Sequence, residues 1–180
     1  MAFNLPQYDV TKFSFGPAVI YIGPVGTTPT TDIGAVRSGM TLELGRTLVD
    51  INQGNPATLA HTFVTAESAT LTVTGLELDF VKIAKVLGVP EPSDPTEFGF
   101  GGFLYVTPVA IKIVHEMPVD NNLEIYIWKA RGGAGFTMTF GDDPHEYSYT
   151  FNAIASVTDW AGNVLPADQQ LLKMKLVPRT

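Results

Sequence analysis

No cysteine occurs among the 180 residues. That excludes a disulfide framework, a thiolate nucleophile and a Cys-ligated metal, and it leaves the redox compartment unmarked. Charge is also scarce: Asp, Glu, Lys and Arg make up 16% of the chain, where about 25% is usual for a soluble domain. A surface so short of charge is either modestly polar or covered by a partner. Cations are the scarcer sign, 11 against 18 acids, for a net charge of −7. Gripping nucleic acid requires Lys and Arg to replace phosphate counterions, so a chain with this balance repels a polyanion instead. No apolar run approaches the ~18 residues of a spanning helix. The start, MAFNLPQYDV, has neither a basic end nor an apolar core, so no signal peptide is expected.

Catalytic patterns are missing as well. The histidines, His61, His115 and His145, lie far apart. HEMPV (115–119) begins like a zinc-protease helix, but Val119 stands where the second histidine belongs and Pro118 breaks the helix. FGFGGF (98–103) lacks the last glycine of a dinucleotide fingerprint and reads as a loop. RGGAG (131–135) lacks the Lys-Ser/Thr of a phosphate loop and reads as a turn, as does DWAGN (159–163). GDDPHE (141–146) gathers Asp142, Asp143 and Glu146, yet Asp-Asp-Pro between strands is ordinary turn chemistry. No catalytic residue, cofactor or metal is assigned, and an enzyme is not expected.

What is present is alternation. In 41–44 and 69–74, Leu42, Leu44, Ala69, Leu71 and Val73 alternate with Thr and Glu. Period two with one apolar face marks half-buried antiparallel strands. FSFGPAVIYIG (13–23), FLYVTPVAIKIVHEM (103–117, broken at Pro108), LEIYIWKA (123–130) and a hairpin of 136–141 with 146–153 add further strands. One helix interrupts them. Leu76, Phe80, Ile83, Ala84 and Leu87 form a stripe at helical spacing over about 76–87. Thr74 and Glu77 have the form of a capping box, and Gly88 and Pro90 close the helix. The expected fold is mainly β: an antiparallel sandwich or barrel, one flanking helix and a long extended loop over about 45–66.

This order of GPAVIYIG, DIGAVRSGMTLEL, a long loop, ATLTVTG feeding one helix, LEIYIWKARG and FTMTFGDDPHEYSYTFNA resembles the tail tube proteins (major tail proteins) of long, non-contractile-tailed bacteriophages. Tubes of contractile tails and of type VI secretion share that fold. The resemblance covers most of 13–160, which it makes the tube domain, with 1–12 an N-terminal arm and 161–180 a C-terminal segment. It implies a structural virion protein, made in the host cytoplasm, whose hexameric rings stack into the conduit for DNA ejection. The inner strands of each ring join into one barrel. The implied partners are further copies of the chain, a tape measure protein in the lumen, and terminator and baseplate proteins at the ends. DNA passes without specific binding, and no membrane is involved.

On that reading, the polar faces of the two hairpins line the lumen: Thr41, Glu43, Ser68, Thr70, Thr72, Thr137, Thr139, Ser148, Thr150 and Asn152. None is Lys or Arg, which suits a channel for a polyanion; a plain solvent face is the alternative. The long loop corresponds to the family's inter-ring contact, through Leu48, Val49, Ile51, Leu59, Phe63 and Val64. Its alternative is an arm folded on its own domain. A competing function is a carbohydrate- or surface-binding module, with Trp128, Tyr126, Tyr147 and Tyr149 as an aromatic platform.

Overall fold

The computed structural model describes residues 18–34, 36–75, 77–117, 121–138 and 146–179. The expected N-terminal arm lies outside the described residues. Among the described residues, eight strands form one antiparallel sheet: β1 (Ala18–Pro24), β2 (Thr31–Asp32), β3 (Val36–Gln53), β4 (Thr58–Gly75), β5 (Val109–Glu116), β6 (Asn121–Met138), β7 (Tyr147–Ala153) and β8 (Lys173–Pro178). Their order is β2-β1-β5-β6-β7-β4-β3, with β8 pairing the first half of β6 beyond the end of β7. The mainly β, antiparallel architecture with one helix is the one expected. The sheet is open, however: β2 and β3 are its ends, so it does not close into a barrel within one chain.

Alternation decides which face is covered. Ile20 and Ile22 of β1, Leu71 and Val73 of β4, Ile111 and Ile113 of β5, Ile127 of β6 and Phe151 of β7 are all fully buried on one side. Helix α1 (Phe80–Leu87) packs there through Ile83, Ala84, Val86 and Leu87. Phe80 is half-buried and stacks on Phe98 at 5.9 Å. Each large aliphatic side chain so buried contributes about 1.5–3 kcal/mol of transfer free energy.

The helix begins four residues later than expected, and Leu76 lies outside the described residues. Thr74 is still in β4, opposite Ser148, so it cannot cap. Asp79 caps instead, accepting from the amides of Val81 (2.9 Å) and Lys82 (3.2 Å). Glu77 is not a capping-box partner; it pairs with the Lys82 ammonium at 3.1 Å. The far end closes as expected on Gly88 in the left-handed region (φ 66°).

The RGGAG turn is absent. Residues 131–135 continue β6, which carries both the expected 123–130 strand and the start of the hairpin in one 18-residue element. The register slips between Gly132 and Phe136, where β6 advances further than β7. That bulge absorbs the glycines without ending the strand. Upstream, 103–108 is not strand, and β5 begins just after Pro108, which has no amide to give a ladder.

Gly132 has a second role. A β-carbon there would overlap the Val86 carbonyl oxygen, so the glycine lets the helix seat on the sheet. Gly132→Ala is expected to lower stability by about 1–3 kcal/mol, the usual cost of overpacking. Denaturant unfolding followed by circular dichroism checks this, and an unchanged midpoint would mean that helix and strand are not in close contact.

Candidate assembly surfaces

The stretch 45–66 is extended, and it is paired. β3 and β4 stay paired from Met40 opposite Val73 to Gln53 opposite Thr58, through register shifts at Thr47/Leu48 and Ile51/Asn52, and close on a turn at 54–57. Beyond the sheet they form a free two-stranded ribbon, in which every residue from 46 to 68 is exposed. The alternative of an arm folded on its own domain is therefore not what this subunit adopts. Polar contacts stiffen the ribbon: Arg46 with Glu67 at 2.7 Å, and the Thr62 hydroxyl donating to Asp50 at 2.6 Å. All six apolar contact candidates lie in it, and all are exposed, from 48% for Val49 and Phe63 to 59% for Leu59. Val49 opposes Phe63, and Ile51 opposes His61, whose ring meets Phe63 edge-on at 4.3 Å. These four share one ribbon face, while Leu48 and Val64 oppose each other on the other.

The polar candidates converge elsewhere. Thr41 opposes Thr72, which opposes Thr150. Glu43 opposes Thr70, which opposes Asn152; the Thr70 hydroxyl donates to the Asn152 amide oxygen at 3.3 Å. Thr137 opposes Ser148, and Ser68 opposes Gly45. Directly opposed residues share a face. Nine candidates thus lie together on the face of β3-β4-β7-β6 that points away from the core, and Thr139 lies outside the described residues. The same rows add two residues that sequence reasoning missed. Thr74 opposes Ser148, and Arg131, which is exposed, opposes Asn152. The face therefore does carry a cation. It was hidden because 131–135 reads as a turn.

A further exposed group was also missed. Phe100, Phe103, Leu104, Tyr105 and Val106 lie in the loop before β5, with Leu104 and Tyr105 each 87% exposed. The only signal was glycine-spaced aromatics without a period.

The aromatic platform does not form. Tyr147 and Tyr149 are buried on the core face, whereas Tyr126 and Trp128 lie on the opposite one. Trp128 is only 6% exposed: Tyr126 stacks on it at 5.6 Å, Trp160 meets it at 5.0 Å, and its indole donates to the Gln169 carbonyl at 2.8 Å. Alternation splits the four rings, and the C-terminal segment covers one pair. That segment also supplies β8. Beside the cluster, the Tyr126 hydroxyl donates to Glu124, which pairs with Lys112 at 2.9 Å. Burial, then the Glu124 carboxylate, pushes the Tyr126 phenol up to about 12. Burial also raises Glu124, but the hydrogen bond from Tyr126 and the Lys112 charge outweigh it and leave its carboxyl below the ordinary value. Tyr149 is likewise pushed to about 12, mainly by burial. Among the described residues no group of His, Asp and Glu could hold a metal, and GDDPH (141–145) lies outside them.

No protein-family model matches this chain, and no curated protein matches it. Among solved structures it is similar to the tail of an empty GTA particle refined with helical, C6 symmetry. The identity is 10%, over 77% of this chain and 91% of that one, with a TM-score of 0.44.

Two outcomes follow from these surfaces. Replacing 48–65 with Asn-Gly joins Thr47 to its register partner Ala66 by a two-residue turn. The shortened chain is expected to keep its circular dichroism and to change in stability by only about 1 kcal/mol. Loss of the fold would show that the ribbon belongs to the core. Separately, both phenols stand above their ordinary value of 10 in the folded state. The stability they contribute is complete below pH 10 and is lost as pH rises toward about 12. The denaturant midpoint is expected to fall across that window, and Tyr126→Phe to flatten part of the fall.

Proposed function

We propose that this chain is the subunit of a bacteriophage tail tube, assembling as stacked hexameric rings that conduct DNA out of the particle. The observation that carries the reading is the four-strand run β3-β4-β7-β6. Each neighbouring pair in it is antiparallel, so β3 and β6 run in opposite directions. Both are also open along their outer edges. β3 ends the sheet, and β5 stops pairing at Ala130, leaving 131–138 of β6 with no strand on that side among the described residues. A long unpaired edge is a template for another chain. A second copy, turned about an axis along the strands, sets its β3 antiparallel beside β6 of the first. Repeating that heterologous step closes a ring. The inner wall is then the Thr-rich face, hydrated and poor in cations, over which a polyanion slides without capture.

The ribbon supplies the second contact. Six exposed apolar residues on a free arm are costly in water and suit burial against a neighbouring ring. The six-fold number, the stacking, the tape measure protein in the lumen, the terminator and baseplate proteins at the ends, and the place in the virion tail come from the family resemblance. They are part of the same proposal, as is the absence of catalysis.

Negative-stain microscopy of the purified chain tests it. Rings or tubes with a central channel are expected; a protein that stays monomeric at high concentration, without rings, would overturn the reading. Val49→Thr with Phe63→Thr keeps strand-forming residues at this opposed pair and is expected to leave subunit stability within about 0.5 kcal/mol, as usual for exposed sites, while rings no longer stack. Long tubes from that variant would remove the ribbon from the inter-ring contact.

A further inference from the structure

One row of the polar face runs Glu43 (β3), Thr70 (β4), Asn152 (β7), Arg131 (β6). Its interior is neutral and hydrogen-bonded, and its two ends carry opposite charges. Each end lies on an open edge. Three strand spacings separate them, on the order of 14 Å, too far for a direct ion pair within one subunit. Neither Glu43 nor Arg131 makes an ion pair or a side-chain hydrogen bond among the described residues, and both are exposed. Arg46, the next charge along β3, is already held by Glu67.

We infer that Arg131 of one subunit pairs with Glu43 of the next, across the seam where β6 of one copy meets β3 of the other. The inference rests on the ring proposed above and deepens it by naming what sets the seam's register. An edge-to-edge pairing that keeps the apolar face on the core side and the polar face on the channel side can slide only by an even number of residues, because an odd slip turns every side chain over. Every allowed slide therefore keeps Glu43 and Arg131 on the same face. Of these, the slides that bring the two directly or diagonally opposite place them within cross-strand reach. Others set each charge opposite uncharged residues such as Thr41, Gly45 or Thr137. Opposite charges across an interface select register and suppress wrong pairings more than they add affinity. The pair has a second consequence. It neutralises the arginine on the inner wall, which unpaired would hold a passing phosphate.

Charge exchange in the full chain tests this. Glu43→Arg and Arg131→Glu each set like charges across the seam. Each is expected to raise the concentration needed for assembly by about tenfold, while subunit melting stays unchanged. The double exchange restores the opposite pair in reverse order and is expected to return assembly to within about threefold of the parent. Salt gives a second readout: assembly of the parent weakens as ionic strength rises, and Arg131→Gln removes part of that dependence. If single and double variants all assemble like the parent, or if the double is no better than either single, the pairing is wrong while the ring stands. If the parent forms no rings, the ring reading falls and the pairing with it.

Discussion

Strands β3 and β4 are 18 residues each, whereas β7 offers β4 a partner only over residues 70–75. That mismatch in length shapes the rest of the molecule. Backbone amides and carbonyls in an extended chain must be paired or hydrated. Where β4 lies inside the sheet, it is paired on both sides and buries Leu71 and Val73. Where the two strands outrun the sheet, they have only each other. The result is a ribbon satisfied along its centre, wet along both edges, and studded with apolar side chains that its own domain never covers. A domain with a core of fully buried aliphatics has no need of such an element for its stability. On the proposed reading, its exposed apolar residues are there for a neighbouring copy.

The same economy applies to the edges. β2 pairs with β1 over two residues, a short cap of the kind that blunts an edge. β3 and the second half of β6 carry no such protection: there is no proline in either and no covering strand among the described residues. In the proposed ring, edges left open in opposite directions on one continuous polar face turn what is normally an aggregation hazard into a directed contact with a second copy.

Much of this was legible in the sequence because alternation is a local property. The alternation of 69–74 and 147–151 told which face is buried, and nine polar candidates fell on one surface. What failed was local reading overruled by tertiary contact. Thr74 and Glu77 have the form of a capping box, but Thr74 is held in the sheet by Ser148, so the cap passes to Asp79. RGGAG has the composition of a turn, yet a bulge carries it as strand, and Gly132 is there for the helix that leans on it. That error also concealed Arg131. The ribbon looked like a loop because paired apolar residues, Leu48-Val49 and Phe63-Val64, blur the period where bulges shift the register. The turn signal QGNPA at 53–57 marked a hairpin tip in plain view.

In the proposed ring, another copy of the chain completes the outer edges of β3 and of residues 131–138. Amide hydrogen exchange, read residue by residue in the subunit and again in the assembled state, tests it most directly. The amides of 40–46 and 131–138 that point away from β4 and β7 should exchange fast in the subunit. On assembly they should become as slow as those inside the sheet. If assemblies form and these amides still exchange at the subunit's rate, the strands do not join and the account of how the copies meet is wrong.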